Sequence, residues 1–221
     1  MEVIRFKEEI FKANNFLVIE NGNAVLIDAS VQIEVIREAL KGANAKLKGV
    51  LLTHSHFDHI LNLDAIVEAF GVPVYLHKNG FNSLYDAVKN ESGLEHPLII
   101  KTKENFILFD REQEEFEFGE IKIKMYHTPG HSNCSVCYEI GDYMFTGDTI
   151  FKGLIGRNDL WNSSPKEQQK TLQKFLKLSP KEFYFAGHGV HFNYNFLVKT
   201  INRYLVVRNT LWVCFLSSTN W

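Results

Sequence analysis

Between Thr53 and His59 the chain reads T-H-S-H-F-D-H, placing His54, His56, Asp58 and His59 within six consecutive residues. Imidazole nitrogens and carboxylate oxygens are the donors that zinc and related divalent ions take. In an extended loop, side chains two apart share a face, so His54 and His56 point the same way. A tight turn then aims Asp58 and His59 at a second nearby point. One ion cannot easily take all four, so the spacing suggests two. Each of three later stretches adds one metal-competent residue beside a glycine: T-P-G-H ends in His131, G-D-T carries Asp148, and G-H-G carries His188. Glycine there lets the backbone approach closely or take positive φ.

The surrounding pattern says how these residues are positioned. A Val/Leu run, Val50 to Leu52, precedes the cluster, and Leu63, Ile66, Val67 and Phe70 follow at helical spacing. The cluster therefore sits between a buried strand and a helix, where open α/β sheets place their sites. Upstream, residues 3 to 6 form an edge strand. Asn15 to Glu20 and Ala24 to Asp28 flank an Asn-Gly-Asn hairpin turn, and Val31 to Leu40 is an amphipathic helix. Strand 47–52 leads into the cluster, and Val74 to Leu76 resumes a strand after Gly71-Val72-Pro73. Residues 78 to 118 hold a helix from Asn79 to Lys89 and a section studded with Phe106, Phe109, Phe116 and Phe118, read as an excursion over the active-site side. Strands return at Phe116 to Phe118, Ile121 to Tyr126, Ser135 to Ile140 and Tyr143 to Thr146. S-P-K-E at Ser164 is a capping box opening a helix with Leu172, Phe175 and Leu176 on its core face. A strand from Phe183 to Ala186 and a helix from Phe196 to Val206 end the pattern. Strands alternating with helices argue for a layered α/β fold, and the absence of a Pro/Gly/Ser-rich linker for a single domain over residues 1–221.

Composition narrows the partners. A net charge of −2 offers no footprint for nucleic acid. Three cysteines make no disulfide framework, and no apolar run reaches the roughly 20 residues that span a bilayer. With no basic region and apolar run at the N-terminus, the expected location is the cytoplasm. Cys134 and Cys137 lie three apart on a strand and so face opposite sides. His127 is either a neighbour of the site or a plain strand position. His77, His96 and His191 have no partner pattern and read as surface residues. The apolar tail from Leu211 to Leu216 is expected to pack against the sandwich or a second subunit, the protein being a monomer or homodimer.

The set H-x-H-x-D-H, T-P-G-H, G-D-T and G-H-G, in this order, resembles the metallo-β-lactamase fold superfamily. The resemblance implies a four-layer αββα sandwich of two mixed β-sheets flanked by helices. It also implies that His54, His56 and His131 hold one metal, that Asp58, His59 and His188 hold another, and that Asp148 bridges them. T-P-G-H-S-N-C-S-V-C-Y and G-D-T-I-F-K-G-L-I-G-R-N-D-L resemble segments of hydroxyacylglutathione hydrolases (glyoxalase II). Only 33 residues follow His188 here, so no separate C-terminal helical domain like theirs is expected, and Val190 stands where they have tyrosine. The expected activity is hydrolysis of a small-molecule thioester such as S-lactoylglutathione by a hydroxide shared between two divalent ions, zinc foremost, with iron or manganese as options. Asp58 would orient that hydroxide. Arg157 would grip a substrate carboxylate or pair with Asp159. The alternatives are a mononuclear iron persulfide dioxygenase, a hydrolase of other esters or lactones, and, least favoured, a non-enzymatic metal-binding scaffold.

Overall fold

A computed structural model describes the backbone of residues 1–217 and the side chains as far as Val206. The apolar tail from Leu211 to Leu216 therefore lies outside the described side chains. Strands β1 (Glu2–Lys7), β2 (Asn14–Glu20), β3 (Asn23–Ile27), β4 (Lys46–Leu51), β5 (Val74–His77) and β6 (Phe106–Phe109) form one sheet in that order. The first two pairings are antiparallel and the last three parallel. The second sheet runs β13 (Phe183–Ala186), β10 (Tyr143–Gly147), β9 (Val136–Ile140), β8 (Ile121–His127), β7 (Gln113–Phe118), with only the β10–β13 pair parallel. Both sheets are thus mixed.

Period-two alternation of apolar residues builds the layers. On β2 and β3, Leu17, Ile19, Ala24 and Leu26 face outward onto Ile36 and Leu40 of α1 (Ile33–Gly42) and Leu63 and Ile66 of α3 (Leu63–Phe70). Their neighbours Phe16, Val18, Val25 and Ile27 face inward onto Ile121, Ile123, Met125, Val136, Tyr138 and Phe145 of the second sheet. The far side of that sheet packs Tyr126, Cys137, Met144 and Tyr184 against Leu172 and Phe175 of α4 (Pro165–Phe175) and Leu197 and Ile201 of α5 (Tyr194–Ser217). Three apolar layers between four structural ones give the αββα sandwich. No helix among the described residues is long and apolar enough to cross a membrane.

Several expectations need correction. The helix expected from Asn79 to Lys89 is a 3-10 segment, Lys78–Tyr85, followed by turns. Residues 106–118 are not an excursion: β6 and β7 are edge strands of the two sheets, and Phe109 and Phe116 help fill the space between them. His77 is no surface residue; it ends β5 buried, its ring stacked on His127 at 3.9 Å and 5°. Cys134 precedes β9 rather than lying on it, and both it and Cys137 are buried free thiols. The capping box is half formed. Ser164 Oγ accepts from Glu167 N, but Ser164 N donates to Gly130 O, which ties α4 to the loop before His131.

Candidate metal centre

The seven singled-out side chains converge at one end of the sandwich. The loop after β4 carries His54 and His56, and a short helix α2 (Phe57–Ile60) presents Asp58 and His59 from its first turn. His131 follows β8, Asp148 follows β10 and His188 follows β13. Their donor atoms form three groups, each lying within 4.8 Å: His54, His56 and His131; Asp58, His59 and His188; and His54, His59 and Asp148. Asp148 lies between the first two, with Oδ1 3.4 Å from His59 Nε2 and Oδ2 at 3.7 Å from His131 Nε2 and 3.6 Å from His188 Nε2. Such proximity demands Gly187, where a Cβ would stand 2.2 Å from Asp148 Oδ1 and 2.7 Å from His59 Cε1.

A second layer aims the imidazoles. Asp28 is buried directly after β3 with φ at +61°, which turns its carboxylate into the cluster. Its Oδ2 accepts from His59 Nδ1 at 2.8 Å, and Oδ1 accepts from Thr53 N at 2.8 Å. Thr53 Oγ1 donates to the same carboxylate and so is left to accept from His54 Nδ1 at 3.1 Å. His131 Nδ1 donates to Arg157 O at 2.8 Å. In all three rings Nδ1 is the nitrogen held by that second layer, which leaves Nε2 as the one facing the centre. The loop of His188 is clamped from β2. Asn14 N donates to Gly187 O at 2.6 Å, and Asn14 Nδ2 donates to Ala186 O at 2.9 Å and Gly189 O at 3.1 Å. Asp28, Thr53 and Asn14 were not singled out from sequence. No local signal marks Asp28, because β3 and β4 become neighbours only in the fold.

The centre suits a cation. His54 Nε2, His59 Nε2 and Asp148 Oδ1 are buried without any hydrogen-bond partner, an arrangement that costs stability unless something else satisfies them. Burial and the neighbouring imidazoles, His131 foremost, push His56 down to about 3; burial and the surrounding rings hold His54 well below its ordinary value. Both are therefore neutral, as ligation requires. Burial alone would lower His59, but Asp58, Asp28 and Asp148 outweigh it and hold it well above its usual value. Burial opposes ionisation of Asp58 and Asp148 as well, yet adjacent histidines keep both below the normal carboxylate range. Three carboxylates crowd a spot where positive charge is favoured and neutral imidazole nitrogens are on offer. Those are donors for divalent metal.

Other residues settle nearby. Arg157 pairs with Asp159 through Nε–Oδ1 at 3.0 Å and a second contact of 3.1 Å, both side chains exposed, while lining the cavity mouth. His127 Nε2 donates to Asn133 O at 2.9 Å, bracing the loop that carries His131. His96 and His191 lie at the surface, as expected.

Residues 10–188 match the family model described as the metallo-beta-lactamase superfamily. The chain is 33% identical over 80% of its length, and 85% of the relative's, to "Probable metallo-hydrolase YqgX" of Bacillus subtilis. Among solved structures, the BLEG-1 B3 metallo-beta-lactamase aligns with a TM-score of 0.80 at 28% identity, covering 87% of this chain and 94% of that one. TTHA1623, described in a di-iron-bound form, aligns at 0.76 and 28% identity, covering 90% and 98%.

Proposed function

The chain belongs to the metallo-beta-lactamase superfamily, and from that premise we propose that it is a dinuclear metal-dependent hydrolase of thioesters such as S-lactoylglutathione. The observation that carries the reading is the pair of three-residue donor groups with the Asp148 carboxylate between them. His54, His56 and His131 would hold one divalent ion, Asp58, His59 and His188 the other, and Asp148 both. Zinc is our first choice, and iron, the metal named for TTHA1623, the second. Bound there, the ions supply Lewis acidity and lower the pKa of water toward ~7.

The chain's own residues do the rest. Asp58 lines the cavity and is ionised at neutral pH, its Oδ2 lying 3.1 Å from His188 Nε2. It can take a further hydrogen bond from an attacking water and turn that water's lone pair toward the substrate carbonyl. A thiolate leaves from the tetrahedral carbon without a strong acid, since a free thiol has a pKa of about 8.5. That favours a thioester over an amide, and an activated water as nucleophile accounts for the lack of a serine or cysteine nucleophile motif. A mononuclear iron oxygenase would need only two histidines and a carboxylate. The second complete group, Asp58, His59 and His188, weighs against it.

The test is thiol release from S-lactoylglutathione by metal-loaded protein, with and without chelator. Chelator-sensitive turnover with kcat/KM of about 10⁴ M⁻¹s⁻¹ or more is expected. Two bound metals without turnover would move the search to other esters and lactones.

A further inference from the structure

A cavity of about 800 Å³ opens onto the donor cluster, with His56, Asp58, His131, Asp148 and His188 at its base. Its remaining wall is mostly apolar: Phe57, Phe151, Leu154, Ile155, Leu160 and Val190. These come from four separate stretches of chain. Phe151 and the turn to Leu154–Ile155 form the small two-stranded ribbon β11 (Ile150–Phe151) and β12 (Leu154–Ile155). Val190 follows the His188 loop, Leu160 follows Arg157, and Phe57 opens α2.

Core packing does not explain this wall. Phe151 and Ile155 are partly buried against the outer face of the second sheet. Leu154, Leu160, Val190 and Phe57 join none of the three apolar clusters. Leu154 is 68% exposed and Val190 52%. Large apolar side chains left in water at the mouth of a cavity, around a polar base, mark a surface that a ligand covers. Phe151 ties the wall to the chemistry, its ring centroid 6.2 Å from that of His188.

The charges at the rim are just as selective. Arg157 already shares its charge with Asp159 in an exposed pair. Glu91 accepts from Trp161 N at 2.9 Å and faces the same opening as a negative group. Lys152 forms no ion pair among the described residues; its ammonium rests 4.6 Å from the centroid of the Phe196 ring. Of Lys152 and Arg157, the two cations lining the cavity, it is the one without a carboxylate partner. With Glu91 on the rim and Asp159 beside Arg157, a substrate with several negative charges is disfavoured.

We infer that the substrate of this site is an acyl thioester whose acyl half is an apolar chain, longer than lactoyl, laid against Leu154, Ile155 and Val190, with Lys152 taking a single negative charge on the thiol half. The inference rests on the thioester reading above and names the acyl class within it.

The experiment measures kcat/KM of metal-loaded protein for acetyl, butanoyl, hexanoyl and octanoyl thioesters of glutathione and of an uncharged thiol. Full burial of one methylene is worth about fourfold, and an open wall gives less, so at least about twofold per methylene is expected. Leu154→Asp and Val190→Asp, both at exposed positions, should flatten that rise. Lys152→Ala should raise KM for the glutathione series by about threefold or more and leave the uncharged series closer to its starting value. In parallel, calorimetry follows binding of butanoate, hexanoate and octanoate. A flat chain-length profile with turnover overturns the inference and leaves the thioesterase. A rise that neither wall variant alters overturns it too. No turnover on any thioester, with carboxylate binding that strengthens with chain length and is lost in the wall variants, sinks the thioester reading and supports the wall. No turnover and no chain-length dependence of binding sinks both.

Discussion

The buried carboxylate of Asp28 offers the sharpest test of how the centre is built, through Asp28→Asn. Both oxygens of this carboxylate receive hydrogens: Oδ1 from Thr53 N at 2.8 Å, Oδ2 from His59 Nδ1 at 2.8 Å, with Thr53 Oγ1 shared at 3.0 and 2.9 Å. The amide is nearly the same shape but must direct an NH₂ at one of these donors. If its oxygen stays with Thr53 N, its nitrogen faces His59 Nδ1. His59 must then move its proton to Nε2, the atom 3.4 Å from Asp148 Oδ1 and 3.7 Å from Asp58 Oδ2, which closes that nitrogen to a metal. If the amide flips, Thr53 N is left buried against a donor, and the Thr53–His54 link is disturbed. Either way one charge-assisted hydrogen bond is lost, about 1.5–3 kcal/mol. Ligation falls by a comparable 10–100-fold, the usual scale for such partners of metal-bound histidines. Competition between the protein and a graded chelator, read as two separate stoichiometric steps, should show the weaker site falling by that factor. Two ions held at wild-type affinity in Asp28→Asn would refute the tautomer argument.

Other outcomes follow from the same geometry. Asp58→Ala should retain one metal and lose about 10²–10⁴-fold in kcat, the range for a proton-handling group; wild-type turnover would place the chemistry elsewhere. Asn14→Ala removes the side-chain donor to Ala186 O and Gly189 O and keeps the backbone bond to Gly187 O. It should weaken the ion held through His188 by about tenfold, measured by chelator competition. A drop in unfolding stability with unchanged metal affinity would make Asn14 merely structural. His77, which is not one of the seven donors, gives a pH prediction. Burial, then His127 and Lys78, lowers its pKa to about 4, while Glu112 and Asp110 oppose this. The folded state keeps His77 neutral and the unfolded chain protonates it below about 6.5. Its stabilising contribution is therefore complete above 6.5 and lost as pH falls toward 4. Between pH 7 and 5 that amounts to about 2 kcal/mol. Urea titrations at the two pH values should show His77→Gln losing less stability than the wild type by that amount, and equal losses would refute it.

The ligands and the layers were legible in the chain for different reasons. Four donors sit in one stretch because a strand end and a helix start are adjacent in sequence, and the other three each stand beside a glycine that the crowding requires, as at Gly187. Continuous apolar runs on β2 and β3 encode a sheet buried on both faces, while the four-layer sandwich itself came from the family resemblance. What escaped was set by contacts across the fold. The segment 106–109 carries Phe-Ile-Leu-Phe with Ile107 and Leu108 exposed, and the position of β6 becomes plain only from its parallel pairing with β5.

His77 looked like a surface residue because nothing local announces its stacking partner, His127, fifty residues away. The helix expected from Leu63 to Phe70 is present as α3; the separate short α2 before it ends at Leu61–Asn62, where Asn62 N bonds Ala29 O and Asn62 Nδ2 bonds Ser30 O. Those bonds, with Ala29 N to His59 O, dock α2 on the turn that follows Asp28. Asp28 itself combines positive φ with burial, a conformation uncommon for any residue but glycine and costly without compensation. Its compensation is the set of hydrogen bonds to Thr53 and His59. One ordinary aspartate at a strand end thus orders the loop before the cluster and the ring within it. Its role is invisible until β3 and β4 are seen to run parallel, side by side, with Ile27 level with Leu51.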